Sequence, residues 1–181
     1  MVDAGRSVVT IRVGKAGLFK FAGHEHEVLA PVLKGEVRAD RENLDRSSVV
    51  LAFEAAALRV SGKDEPPADL PKVQAAMQGP QVLEVDRFAE ITYRSATVAG
   101  RATSAGVYEL TLGGELTLHG VKGSVSVPVR VEMTEERLTA TGTLTLRHTS
   151  FGLKPISVAG VVKVKDELSV TFTIVAVHSG N

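Results

Sequence analysis

Cysteine is absent from the 181 residues, which removes disulfides, thiol catalysis and thiolate-held zinc together. Its absence does not fix a compartment, because a reduced cytosolic chain and a cysteine-free periplasmic one look alike. Tryptophan is missing too, and the aromatics are only six Phe and two Tyr, so the interior has to be built mainly from aliphatic side chains and Gly. Neither charge sign is in excess: 21 basic residues meet 21 acidic ones, and no long like-charge block appears. The usual electrostatic basis for binding nucleic acid or an anionic membrane is therefore missing.

No apolar run approaches the ~18 residues of a transmembrane helix. The opening MVDAGRSVVTIRV lacks the charged start and apolar core of a signal peptide. As written, the chain reads as cytoplasmic; a chain trimmed of its leader would be periplasmic and would look the same. There is no Gly-x-Ser-x-Gly nucleophile elbow, and KAGLFKFAGHEHE lacks the Gly-Lys-Ser/Thr end of a phosphate loop. Nothing obliges an enzyme, and none is expected.

What the chain does have is alternation. Leu138, Ala140, Leu144 and Leu146 alternate with Thr139, Thr141, Thr143, Thr145 and Arg147. From Val125 to Met133 every odd position is apolar, and Tyr108–Leu118 and Leu168–Ala176 repeat the pattern. Period two with one apolar face predicts antiparallel strands, one side wet and one dry. Earlier candidates are Val8–Val13, Leu18–Val28, Leu33–Asp40, Val49–Val60 and Phe88–Val98. About nine strands result, with breaks expected at Gly-Gly, His-Gly, Glu-Glu and Asp-Glu, a pattern that favours a barrel or sandwich. Lys163 and Lys165 of VKVKDE read as a solvated strand face before such a break.

One stretch departs from this pattern. SGKDEPPADLP is a polar, proline-rich loop, and LPKVQAAMQG after it reads as a short helix over 69–79. Pro71 suits its first turn, Leu70, Val73, Ala76 and Met77 form its apolar stripe, and Gly79-Pro80 stops it. No repeat or boundary divides the chain, so residues 1–181 are read as one all-β domain. Small apolar side chains on long strands leave two interiors open: a lumen that holds one small ligand, or a core packed solid by Leu and Val.

His24 and His26 in AGHEHEVLAP share a strand face. They could be half of a metal site, but zinc needs three or four ligands, and the positions four and five past His26 are Ala30 and Pro31. A distant third ligand would have to be His119, His148 or His178. His148 shares the apolar parity of its strand and so faces inward, whereas His119 belongs at a turn. The plainer reading makes them rim histidines bonded to a turn. Glu25 and Glu27 share the other face, where two neighbouring carboxylates repel and stay solvated.

Three stretches, VLEVDRFAEITYRS (82–95), GELTLHGVKGSVSVPV (114–129) and FGLKPISVAGVVKVKDELSVTFTI (151–174), resemble the YceI-like family in order and spacing, over nearly the whole chain. The resemblance implies an extended, lipocalin-like antiparallel barrel of about eight strands beside a short helix. It also implies a lumen that takes a long-chain isoprenoid, isoprenoid quinones among them, or a similar amphiphilic lipid, without catalysis or cofactor. A homodimer is compatible with it. The family's usual Tyr-Pro-x-Ile-x-Phe-x-Ser is here Phe88-Ala89-Glu90-Ile91-Thr92-Tyr93-Arg94-Ser95, and true lipocalins are excluded for want of their Gly-x-Trp. On this footing the expected lipid-contacting residues are Phe53, Leu112, Gly114, Leu116, Gly142, Leu144 and Phe172. His24, His26 and His148 are expected at the rim near a head group, and a metal held by His24, His26 and a distant ligand is the rival. Gly114 and Gly142, at apolar parity within strands, are either barrel corners or gaps left for a lipid tail.

Overall fold

The computed structural model describes residues 1–16, 26–63, 66–154, 157–158 and 162–178. Strands are Val8–Ala16 (β1), His26–Leu29 (β2), Lys34–Arg38 (β3), Ser48–Glu54 (β4), Arg59–Val60 (β5), Glu90–Ser104 (β6), Val107–Leu118 (β7), Val121–Met133 (β8), Arg137–Arg147 (β9), Ser157–Val158 (β10) and Val162–Val177 (β11). The one α-helix among the described residues is Leu70–Gln78 (α1). All strands join one antiparallel sheet in the order β3-β4-β6-β7-β8-β9-β11-β1-β2-β5, with β10 against β11.

The sheet curls until its edges approach. β4 leads into β5 through a single 3₁₀ turn at Ala55–Ala57, so the two flanks of the sheet meet along the chain itself. At the other end Val2 pairs with Ala176 of β11 while its N–H donates to the Gly35 carbonyl of β3 at 3.0 Å. These links give an extended, barrel-like all-β fold with more strands than expected, because short pieces finish it.

The alternation read from the sequence sets which side faces in. In register, Leu144 of β9, Val170 of β11, Ile11 of β1, Val28 of β2 and Val60 of β5 lie side by side across five strands. Two residues along lie Gly142, Phe172 and Val9, with Val129 and Leu110 continuing across β8 and β7. The intervening Thr143 and Thr171 are exposed and in hydroxyl contact at 3.3 Å. Outside, Arg12 pairs with Glu27 at 3.3 Å and Arg147 with Glu167 at 3.1 Å, each between residues directly opposite on neighbouring strands. Glu27 thus has a cationic partner, and Glu25 lies outside the described residues.

Two expected breaks are not breaks. Gly113-Gly114 sits inside β7, opposite a bulge where the β6 register shifts between Ser95 and Thr97. A Cβ at Gly113 would meet the Thr97 hydroxyl, and one at Gly114 would lie 2.8 Å from the Tyr93 ring. The glycines let the bulged strand approach rather than end the strand. Asp166-Glu167 likewise lies within an unbroken β11, whose register against β1 shifts between Val13 and Lys15. The chain before it turns instead, at a 3₁₀ segment His148–Phe151. By contrast His119 and Gly120 do form the β7–β8 turn, at φ 53° and 71°, the positive values a two-residue hairpin demands. The candidate strand Val49–Val60 divides at Ala55–Ala57, and the one begun at Phe88 starts at Glu90 and runs to Ser104. Of Leu18–Val28, residues 18–25 lie outside the described set.

Helix α1 ends as expected: Pro71 is in its first turn, and the Gly79 N–H donates to the Ala75 carbonyl at 2.9 Å. Leu70, Val73 and Met77 pack on the core. Gln74 fastens the helix to β5, its side chain accepting from the Val60 N–H at 2.8 Å and donating to the Leu58 carbonyl at 2.9 Å.

Candidate ligand cavity

A cavity of about 420 Å³ runs inside the curled sheet, within the range of small-molecule sites. The strands position its wall: the inward faces of β1, β4, β7, β8, β9 and β11 supply Val, Leu, Ile and Phe, and α1 adds Val73, Ala76 and Met77. Of the two interiors left open by the sequence, the structure has the hollow one. Polar side chains concentrate at its two ends. Phe53, Leu112, Leu116, Leu144 and Phe172 all line it.

Gly114 and Gly142 are placed differently. A Cβ at Gly142 would lie 2.6 Å from Cζ of Phe172 and would meet the Pro128 carbonyl; one at Gly114 would lie 2.8 Å from the hydroxyl and ring of Tyr93. Neither glycine has positive φ, so neither is a left-handed corner, and the space beside each is already taken by an aromatic ring. A ring lying over a cross-strand glycine is a recurrent way to pin register.

One end of the cavity is bordered by the row His26, Val13, Leu168 and Leu146, side by side across β2, β1, β11 and β9, with His148, Leu153 and Lys154 beyond. His26 is half-buried and lines the wall; His24 lies outside the described residues. His148 is 8% exposed, and its Nδ1 is 3.0 Å from the Asp166 carbonyl and 3.2 Å from that of Lys165. The Asp166 carboxylate holds the same turn, accepting from the Thr149 N–H at 2.9 Å and hydroxyl at 2.8 Å. Those two hydrogen bonds keep the Asp166 carboxyl below its ordinary pKa.

The opposite end carries Arg38, Asp40, Arg41, Leu44 and Ser47. Arg41 reaches across to the end of β8, donating to Sδ of Met133 at 3.0 Å and the Thr134 carbonyl at 2.7 Å. Arg38 pairs with Glu36 at 2.8 Å in solvent. Midway along the wall Tyr93 is buried, its hydroxyl 3.5 Å from the Leu112 carbonyl, and burial pushes that hydroxyl's pKa up. The sequence reading did not single out Tyr93, the Arg41 cover or Lys154. Tyr93 falls at apolar parity in β6 and was legible; the loop residues carried no pattern.

Among the described residues no group of three or more His, Asp or Glu gathers around a point that could hold a metal ion. His119 is instead 3.5 Å from Glu84 and packed at a tilt against Phe88, with ring centroids 4.3 Å apart. His178 is exposed beside the β8–β9 turn, its N–H donating to the Glu136 carbonyl. No described helix is long and apolar enough to cross a membrane.

A hollow antiparallel barrel with an apolar bore coincides with a family-level match: residues 1–176 fit the model of the YceI-like domain. The chain belongs to the YceI-like family. Solved structures agree with this YceI-like fold. Burkholderia cenocepacia BcnA is similar at TM-score 0.74 and 21% identity, covering 97% of this chain and 99% of that one. A polyisoprenoid-binding domain from Saccharophagus degradans, implicated in plant cell wall breakdown, gives 0.70 and 12%, covering 98% and 97%. The YceI protein of Campylobacter jejuni gives 0.61 and 8%, covering 83% and 85%. At these identities the likeness is one of fold. No curated protein sequence matches this YceI-like chain.

Proposed function

We propose that this YceI-like protein binds a long-chain isoprenoid or similar amphiphilic lipid, tail along the bore and polar head at one end, without performing catalysis. The observation that carries the reading is the cavity itself, about 420 Å³ bounded mainly by aliphatic side chains, with polar groups gathered at its ends. Transferring a hydrocarbon tail from water into such a bore is favourable at roughly 25 cal/mol per Å² buried. The similar fold of a polyisoprenoid-binding domain supports the choice of tail.

Organic extraction and mass spectrometry of freshly purified protein should recover an isoprenoid lipid. Added back at 100 times its dissociation constant, a ligand of the folded state stabilises by roughly 2.7 kcal/mol, a melting shift of about 5–10 °C for a domain this size. Leu144→Trp, which plugs the bore, should abolish the shift while the variant still folds. No extracted lipid together with no shift, or equal shifts from a head-group analogue lacking the tail, would overturn the reading.

A further inference from the structure

The lipid reading says nothing about which head group is recognised, and His148 addresses that. Only 8% of this residue is exposed, and it lines the bore at the end bordered by His26 and Leu146. A main-chain carbonyl can only accept a hydrogen bond. With carbonyl oxygens of Lys165 and Asp166 at 3.2 and 3.0 Å, Nδ1 must carry the proton. In the neutral ring Nε2 is then a lone-pair acceptor, and it has no hydrogen-bond partner among the described residues. The two carbonyls hold the ring's orientation through Nδ1, and the Asp166 carboxylate fixes the turn that bears it by accepting from both the N–H and the hydroxyl of Thr149.

We propose that His148 Nε2 is a head-group site that accepts a hydrogen bond from a neutral, hydroxyl-bearing lipid terminus, with Asp166 and Thr149 as positioning residues. This rests on the lipid reading. An anionic head fits this spot less well. Among the described lining residues, Lys154 supplies the lysine at this end and is exposed, whereas the apolar lining there includes Leu146, Leu153 and Leu168. A charge drawn down to His148 would lose its water to an aliphatic lining, a far larger cost than a hydroxyl meets.

The test compares three probes with one tail: geranylgeraniol, its methyl ether and its phosphate ester. The wild-type protein should prefer the alcohol to the ether by roughly tenfold, the upper range for one neutral hydrogen bond. His148→Asn keeps an amide nitrogen where Nδ1 bonds the two carbonyls but deletes Nε2; it should bind alcohol and ether alike. His148→Gln restores a polar atom near Nε2 and should recover part of the preference. The nitrogen resonance of Nε2 in the wild-type protein should move on adding the alcohol and stay put with the ether, which needs no variant to fold. Equal affinity of the wild-type protein for alcohol and ether, or a preference that survives in His148→Asn, overturns the proposal and leaves the lipid reading standing. Tighter binding of the phosphate than of the alcohol overturns the neutral head. Binding of none of the three defeats the lipid reading, and this proposal with it.

Discussion

Gly142 offers the most direct test of how the bore is built. It pairs in register with Phe172 across β9 and β11. A Cβ placed there would sit 2.6 Å from Cζ and 3.1 Å from Cε1 of that ring, and against the Pro128 carbonyl of β8. The backbone is not left-handed at this point, so Gly142→Ala meets no torsional penalty of the kind glycine normally relieves. What it meets is overpacking, which costs typically about 1–3 kcal/mol, or a melting temperature lower by roughly 5 °C at ~2–4 °C per kcal/mol. Phe172→Leu shortens the ring's reach and so should remove part of that loss. The double variant Gly142→Ala/Phe172→Leu should melt higher than the sum of the singles predicts, with a coupling of about 1 kcal/mol, as residues in contact usually show. The Pro128 carbonyl stays, so rescue should be incomplete. Thermal melts followed by circular dichroism on the four proteins measure this. Additive losses, or a Gly142→Ala protein that melts normally, would show that the ring does not rest on the glycine. Gly142→Leu should fare worse than Ala, because a gap left for a lipid tail is not what adjoins this residue.

Gln74→Ala should destabilise by about 1–3 kcal/mol in urea unfolding, since it leaves the Val60 N–H and Leu58 carbonyl without their shared partner; an unchanged midpoint would show that water replaces it. The Asp166 carboxyl, held down by Thr149, should titrate by NMR below the ordinary aspartate pKa and return towards it in Thr149→Val. Because this pKa is depressed in the folded state, the interaction contributes above the unfolded aspartate's pKa and is lost as pH falls through the lowered one; an Asp166 titration unmoved by Thr149→Val would contradict that. Arg41→Ala should speed amide exchange in residues 39–47 with little change in melting temperature, as the bonds to Met133 and Thr134 are exposed. After dialysis against chelator the protein should melt as before and carry no stoichiometric metal. One ion per chain, lost in His24→Ala or His26→Ala, would favour the histidine-metal reading over the lipid one.

Strand identity was decided locally. Alternation over Leu138–Leu146 and Leu168–Ala176 follows from the geometry of an extended chain, in which neighbours point to opposite faces, so the inward set could be named before any fold was known. Helix α1 was legible for the same kind of reason, from Pro71, its apolar stripe and Gly79-Pro80. The resemblance carried by LTLHG and VKVKDEL added the barrel and its lumen. Tertiary structure alone decided what the glycines do. Gly114 and Gly142 look alike in the sequence as gaps, yet each meets an aromatic ring, Tyr93 two residues along the neighbouring strand's face and Phe172 directly across, and cross-strand register is invisible in a linear pattern. The same holds for His148, whose parity suggested an inward side chain. Which ring nitrogen is tied depends on the carbonyls of Lys165 and Asp166, 17 and 18 residues away. The covers at the two ends, Arg41 on Met133 and Thr149 on Asp166, have no periodicity at all. In each, a residue from a connecting segment meets one on a strand, and only strand pairing and the curl of the sheet bring the two together.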